Sequence, residues 1–193
     1  MKTETTELKN IELEVKFRIG LEKQFEFKNL VSESGDFTFL YVESDDIYYV
    51  NDDGDFLRYR FSDDKKEKRA ELTFKKKLNE HNNNKRIEVN LRVDPNTPEL
   101  VGDFAEGLGY KRNFRINKSC HIYKKSDVTV VFYTVQCENG TIDHFIEIEV
   151  AENAGFTEDE GWGIIREWER KLEPLGIKPQ NRLRKSLYEM YRR

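Results

Sequence analysis

The sequence predicts an α+β fold in which about eight antiparallel strands form one sheet or barrel and amphipathic helices pack against it. Apolar and charged residues alternate along one short segment after another, the pattern of strands with one buried face. Short connections of the kind found in hairpins separate these segments. Fewer segments carry apolar residues at helical spacing, and they lie between or after the strands.

Composition supports a single domain over residues 1–193, because a chain of this length can bury one substantial core. Charged residues make up 36% of the chain, yet the formal net charge is only −4, which does not indicate a simple cationic nucleic-acid binder. We find neither a membrane-spanning run nor the apolar core of a signal peptide. Two cysteines are too few for a disulfide framework or a zinc site. The sequence therefore predicts a soluble cytoplasmic protein with no membrane partner.

The first predicted strand is IELEVKF, residues 11–17, and its charged face leaves two interpretations open. Strand side chains alternate between faces, so Glu12, Glu14 and Lys16 share one face and the apolar residues share the other. The charged face either meets water or holds two carboxylates and a lysine together for chemistry. The other predicted strands are 46–61 with a turn at Asp53–Gly54, 69–78, 85–93, 111–125, 127–135 and 144–150.

Four helices are predicted, at 21–33, 95–109, 157–176 and 181–191. Their apolar stripes are expected to form core contacts. The stripe residues are Leu100, Val101, Phe104 and Leu108, then Trp162, Ile165, Trp168 and Leu172, and finally Leu183, Leu187 and Met190.

The position of the charged strand faces depends on what covers the apolar ones. If the helices pack outside a closed barrel, the charged faces all point inward; an apolar interior with charges in water is the open alternative. The inward set would contain Glu12, Glu14, Glu71, Glu88, Glu147 and Glu149, with Lys16, Arg18, Arg58, Arg60, Lys75, Lys77, Arg86 and Arg92. Buried charges need partners, and a polyphosphate with divalent metal ions would supply both signs. Carboxylates suit Mg²⁺ or Mn²⁺, and Arg and Lys suit phosphate oxygens.

Several of these segments together resemble the CYTH domain, also called the triphosphate tunnel metalloenzyme family. The similar segments are ELEVK (12–16), FLRYR (56–60), LTFKK (72–76), RIE (86–88), FIEIE (145–149) and KSLYEM (185–190). The resemblance implies an eight-stranded antiparallel tunnel with a charged interior and helices outside, and so favours the inward arrangement. It also implies dependence on Mg²⁺ or Mn²⁺.

The family resemblance implies specific roles for the charged residues. Metal would bind to Glu12, Glu14, Glu88, Glu147 and Glu149, and triphosphate to Lys16, Arg58, Arg60, Lys75, Arg86 and Lys118. The implied catalytic group is Glu12, Glu14, Lys16, Glu147 and Glu149. Two positions depart from the family pattern: Cys120 stands where an arginine is usual, and Tyr133 where an aspartate is common.

The function that the resemblance favours is metal-dependent hydrolysis of a triphosphate, either inorganic tripolyphosphate or a nucleoside triphosphate, by water attack on the terminal phosphorus. The alternatives are a class IV-type adenylate cyclase, an RNA 5′-triphosphatase, and a non-catalytic polyphosphate- or nucleotide-binding module. The expected partner is a small triphosphate, with RNA a partner only if its 5′-triphosphate end is the substrate. A homodimer is left open.

Overall fold

The computed structural model of the chain describes residues 13–77, 86–150 and 156–192, with the backbone alone for 75–77 and 86–88. Within these residues the strands are β1 (Leu13–Ile19), β2 (Thr38–Val50), β3 (Phe56–Asp63), β4 (Lys68–Lys77), β5 (Arg86–Val93), β6 (Lys111–Lys124), β7 (Val128–Cys137) and β8 (Ile142–Val150). The helices are α1 (Gln24–Glu33), α2 (Pro98–Gly107), α3 (Glu158–Lys171) and α4 (Leu187–Tyr191). No helix among the described residues combines the length and the apolar character needed to cross a membrane.

All eight strands belong to one antiparallel sheet, in the order β1-β8-β7-β6-β2-β3-β4-β5. The chain therefore forms the predicted α+β, tunnel-like fold, although no hydrogen-bonded pairing within the described residues joins edge strands β1 and β5. Directly opposed residues of an antiparallel pair share a face. We call the face that carries Lys16, Arg60 and Lys118 the inner face, and the opposite face the outer face.

Helices α1 and α3 cover the apolar outer face of β1, β8 and β7. Ile165, Trp168 and Leu172 are buried against this face, as the predicted stripe of the third helix requires. A capping box at Thr157 begins α3 by satisfying free backbone N–H groups of its first turn. Because α1 and α3 cover the apolar face, the charged faces of these strands point inward. The inward arrangement is therefore confirmed.

Helix α2 covers the outer face of β2, β3 and β4, but along a narrower line than the sequence predicted. Val101 and Ala105 are buried there. The prediction that Leu100, Phe104 and Leu108 are core contacts was wrong, since they are 63%, 55% and 57% exposed. Helical spacing identifies the apolar side of a helix, whereas the edge that meets the sheet depends on how the helix is rotated against it.

The fourth helix differs most from its prediction. It extends only from Leu187 to Tyr191, and it packs on the inner face rather than outside. The ring of Tyr188 stacks on Phe56, with ring centroids 4.3 Å apart, in an aromatic group that also holds Tyr48 and Phe114. This packing fills one end of the tunnel with apolar side chains.

The hairpin predicted at Asp53–Gly54 is present, and it joins a longer first strand than expected. Gly54 has a φ of 82°, a left-handed conformation that favours glycine. Strand β2 begins at Thr38 rather than at residue 46. Both faces of residues 38–42 carry apolar side chains, so this stretch lacks the alternation by which half-buried strands are recognised.

A buried ion pair attaches the segment before α4 to α3. The Arg182 Nε and Nη2 atoms donate to the two carboxylate oxygens of Glu169 at 2.6 and 2.7 Å, and Glu169 is almost fully buried. The next residue, Leu183, donates its backbone N–H to the carbonyl of Lys16 at 2.8 Å. The pair thus fixes the chain against the edge of β1.

Arg182→Met is expected to lower the free energy of unfolding by about 3 kcal/mol, because it leaves the buried Glu169 carboxylate without its cation. Urea denaturation measures the change. Glu167→Gln is the control, since it removes an exposed ion pair with Lys171 on the same helix and should cost about 0.5 kcal/mol or less. Equal effects of the two substitutions would contradict a stabilising role for the buried pair.

Candidate functional site

The strand register gathers the predicted charged residues on the inner face. The directly opposed pairs on this face are Glu14 with Glu149, Lys16 with Glu147, Asp46 with Arg60, Arg60 with Glu71, and Arg58 with Thr73. Lys118 lies on the same face of β6, opposite Ser44. Residues from six strands, far apart in sequence, therefore line one surface.

Some of the predicted site residues fall outside this description. Glu12 lies outside the described residues. For Lys75, Arg86 and Glu88 the backbone alone is described, and it places Lys75 opposite Glu88 in the β4–β5 pairing. Their roles stay predictions.

Lys16 and Glu147 form the centre of the carboxylate side of the site. The Lys16 ammonium lies 3.0 Å from Glu147 and 3.4 Å from Glu14. Burial alone would lower the pKa of Lys16, but the charges of Glu147 and then Glu14 outweigh it and raise that pKa. Burial likewise opposes the charge of Glu147, yet Lys16 holds the pKa of this carboxyl below its usual range. Both groups therefore stay charged at neutral pH.

The two positions that depart from the family pattern lie directly opposite each other on β6 and β7. Tyr133 donates its hydroxyl hydrogen to Glu147 at 3.1 Å, and burial raises its pKa well above the usual value. Cys120 is buried beside it, and burial raises the pKa of its thiol too. At neutral pH the pair contributes a neutral phenol and a neutral thiol.

A buried carboxylate that the sequence analysis missed organises the cationic side of the site. Asp46 is fully buried and accepts two hydrogen bonds from Arg60, at 2.7 and 2.8 Å, while its other neighbour is the Lys118 ammonium at 3.2 Å. Burial opposes its charge, but Arg60 and Lys118 hold its pKa well below the usual range. Lys118 responds differently: burial and the nearby Arg60 charge lower its pKa by more than the Asp46 charge raises it.

Arg58 offers a donor that the described residues leave unused. Its Nη2 atom donates to Thr73 at 2.9 Å and approaches Glu71 at 3.5 Å. Its buried Nε–H has no hydrogen-bond partner within the described residues. An unpaired buried donor is costly, so it marks a position where a ligand oxygen would be stabilised.

The donor set of this face fits a hard divalent cation. Glu14, Glu147 and Glu149 present carboxylate oxygens on neighbouring strands, the ligand type that Mg²⁺ and Mn²⁺ prefer. Within the described residues no three such side chains gather closely enough to hold an ion, and Glu14 and Glu147 instead lie 3.4 and 3.0 Å from the Lys16 ammonium. These carboxylates therefore match the cation in chemistry, and Glu14 and Glu147 are paired with Lys16 in this structure.

A protein-family model, that of the CYTH domain, matches residues 10–187 of the chain. The chain belongs to the CYTH domain family. A conserved hypothetical protein from Pyrococcus furiosus is 27% identical, and the similarity covers 93% of this chain and 99% of that one with a TM-score of 0.70.

Two further solved structures are similar to this CYTH domain. The PH1012 protein from Pyrococcus horikoshii is 27% identical over 91% of this chain and 96% of its own, with a TM-score of 0.67. A Bacillus halodurans protein provisionally described as an adenylate cyclase is 18% identical over 94% of this chain and 97% of its own, with a TM-score of 0.61; it shows the fold alone. No curated protein sequence matched the chain.

Proposed function

We propose that this CYTH domain hydrolyses a triphosphate, as a divalent-metal-dependent phosphoric anhydride hydrolase. The observation that carries the proposal is the division of one inner face into two groups of opposite charge. Arg58, Arg60 and Lys118 form the cationic group, and Glu14, Glu147 and Glu149 form the carboxylate group around Lys16. A polyphosphate with its bound cation carries the complementary charges.

In this proposal the cationic group holds the phosphate chain and stabilises charge on its oxygens as the terminal phosphorus is attacked. The Arg58 Nε–H would donate to a phosphate oxygen, and Arg60 and Lys118 would share their charge between Asp46 and the substrate. Lys16 would contact the phosphate nearest the carboxylates. Glu14, Glu147 and Glu149, with Glu12, would hold Mg²⁺ or Mn²⁺, which lowers the pKa of bound water and neutralises phosphate charge.

The carboxylates have a second task in the proposal. Before a metal ion binds, the charges of Glu147 and Glu14 outweigh the burial of Lys16 and raise its pKa, so its ammonium keeps its positive charge at neutral pH. Water attacks the terminal phosphorus, orthophosphate is released, and the remaining diphosphate is the leaving group. A side-chain nucleophile is not required for this reaction.

Product analysis tests the proposal. The protein is incubated with tripolyphosphate, ATP or 5′-triphosphorylated RNA, together with Mg²⁺ or Mn²⁺. We expect orthophosphate with pyrophosphate or a diphosphate-terminated product, and no activity when the metal is chelated. Pyrophosphate with cyclic AMP would instead support the cyclase. Thermal stabilisation by a triphosphate without turnover would support a binding module and contradict hydrolysis.

We also propose that residues 1–193 form one domain. The first described strand, β1, pairs with the last strand, β8, and α4 packs on the inner face of the same sheet. The cytoplasmic location and the homodimer stay predictions, which cell fractionation and sedimentation analysis respectively would test.

A further inference from the structure

One edge of the sheet is bare within the described residues. Strand β5 pairs with β4 on one side, and no described strand pairs with its other side. The side chains at 89–92 are exposed on both faces of the strand, and Val89 and Leu91 on the outer face are 55% and 57% exposed. An exposed edge strand offers a row of backbone N–H and C=O groups with which another strand can pair.

The opposite edge of the sheet is better covered. Val15, Lys16 and Phe17 of β1 are buried, and Leu183 donates its backbone N–H to the Lys16 carbonyl at 2.8 Å. This contact occupies a backbone acceptor of β1, and so leaves less of that edge for β5 of the same chain to close the sheet on itself. Strand β5 is therefore better placed to pair with another chain than with its own.

Apolar side chains are exposed beside the bare edge. Val89 and Leu91 lie on the outer face, and α2, which packs on the same face of the neighbouring strands, carries the exposed residues Leu100, Phe104 and Leu108. These five are half of the ten large apolar side chains that are exposed within the described residues. Such a concentration of exposed apolar side chains is typical of an interaction surface.

The sequence of β5 is complementary to itself in one antiparallel register. Two copies of the strand can meet with Asn90 opposite Asn90, about a two-fold axis perpendicular to the sheet. Glu88 is then opposite Arg92 of the second copy, and Val89 is opposite its Leu91. Symmetry forms each of these pairs twice. The charged pairs share the inner face and the apolar pairs share the outer face, so the two sheets continue as one.

The neighbouring registers lack this complementarity. A centre one residue earlier sets Arg86 opposite Arg92, and a centre one residue later sets Glu88 opposite Asp94. A centre two residues away in either direction sets Glu88 or Arg92 opposite its own copy. Like charges directly opposite each other destabilise a strand pair, so the register centred on Asn90 is the favoured one.

We propose that β5 of this CYTH domain pairs with β5 of a second copy in the register centred on Asn90, forming a two-fold symmetric dimer with one continuous sheet. The charge complementarity of the strand with itself identifies the second copy as the partner. Backbone hydrogen bonds between the two edges would supply affinity, and the alternating side chains would fix the register. Because β5 contains Arg86 and Glu88, two of the predicted site residues, the dimer would also hold the backbone that carries them.

Arg92→Glu tests the register, because it sets Glu88 opposite a second glutamate in both halves of the interface. We expect sedimentation analysis without metal or substrate to show a wild-type dimer whose dissociation constant rises at least about 10-fold in this variant. Leu91→Lys is the second variant, since a lysine on an edge strand opposes pairing and an exposed position should tolerate it. Ile142→Lys, at a residue that is 55% exposed on the outer face of β8, is the control and should change the constant less than about 2-fold.

Exchange of charge between two copies isolates the contact. Glu88→Arg alone sets an arginine opposite Arg92 of its copy, so it should weaken its own dimer as Arg92→Glu does. In a mixture of the two variants, the heterodimer sets the retained Glu88 opposite the retained Arg92, and the two substituted residues opposite each other. Opposite charges then meet in both pairs, and native mass spectrometry identifies the heterodimer by its mass. Mixing cannot repair an effect within one chain, such as that of Glu88→Arg opposite Lys75.

Heterodimers that form more tightly than either homodimer would support pairing of β5 in this register, whether or not the protein hydrolyses a triphosphate. A wild type that sediments as a monomer up to its solubility limit would overturn the proposal, and would leave β5 to a different protein or to β1 of its own chain. A dimer that no substitution in β5 weakens would also overturn it, because the interface would then lie elsewhere. A mixture that forms no heterodimer would overturn the register centred on Asn90.

Discussion

Asp46→Asn is expected to lower the free energy of unfolding by about 3 kcal/mol or more at pH 7. The substitution removes the carboxylate that Arg60 and Lys118 share, and two buried cations are then left beside each other. Lys118 can relieve part of the repulsion by losing its proton, because burial and Arg60 already lower its pKa. Arg60 cannot do so, because a guanidinium stays protonated at neutral pH even without a carboxylate partner.

The pH dependence of this effect follows from the direction of the Asp46 pKa shift. The folded-state pKa lies well below the usual aspartate value of about 3.9, so between these two values the unfolded state binds more protons than the folded state. The contribution of Asp46 is fully present above about pH 4 and is lost as the pH falls toward the folded-state value. We therefore expect the stability difference between wild type and variant to shrink below about pH 4.

The adjacent residue supplies the control. Asp45 lies on the outer face and pairs with Arg115, an arginine that is largely exposed. Asp45→Asn should cost about 1 kcal/mol or less, because exposed ion pairs contribute little. Denaturant titrations of both variants across pH measure these differences. Similar costs at the two positions, or a cost at Asp46 that does not fall in acid, would contradict the role given to the buried carboxylate.

Asp46 shows how strongly a hairpin register depends on the length of its loop. A two-residue turn at Asp53–Gly54 would set Asp46 opposite Phe61. The loop instead spans residues 51–55 and sets Asp46 opposite Arg60, which the turn signal alone does not determine. Lys118, by contrast, reaches Asp46 only because β6 pairs with the other edge of β2, a connection between distant segments that alternation does not encode.

The orientation of the sheet was predictable for a different reason. The alternation of apolar and charged residues distinguishes two faces of each strand, but it does not show which face the helices cover. The apolar stripes of the helices indicate that they cover the apolar face. Ile165 and Trp168 of α3 do cover the apolar outer face. The same reasoning was wrong for α4. This helix packs on the inner face, where the ring of Tyr188 stacks with Phe56 and Phe114.

Glu147→Gln is expected to lower kcat/KM for the triphosphate by on the order of 10³-fold, because it removes a negative charge from the proposed metal-binding group without changing the shape of the side chain. The substitution has a second effect that must be separated from the first. Glu147 is the nearer carboxylate to the buried Lys16 and accepts the Tyr133 hydrogen bond, so its loss should also destabilise the fold by about 1 to 3 kcal/mol.

Glu14→Gln separates catalysis from stability at this site. The Glu14 side chain is 38% exposed and is the more distant partner of Lys16, so the substitution should change stability by less than about 1 kcal/mol while kcat/KM still falls at least about 10²-fold. Both variants are compared with wild type by circular dichroism and by phosphate release with Mg²⁺ or Mn²⁺. If Glu14→Gln keeps wild-type turnover while Glu147→Gln loses activity in proportion to its unfolding, these carboxylates only stabilise Lys16. A fully folded Glu14→Gln protein with little turnover would show that the reaction itself requires the negative charge of Glu14.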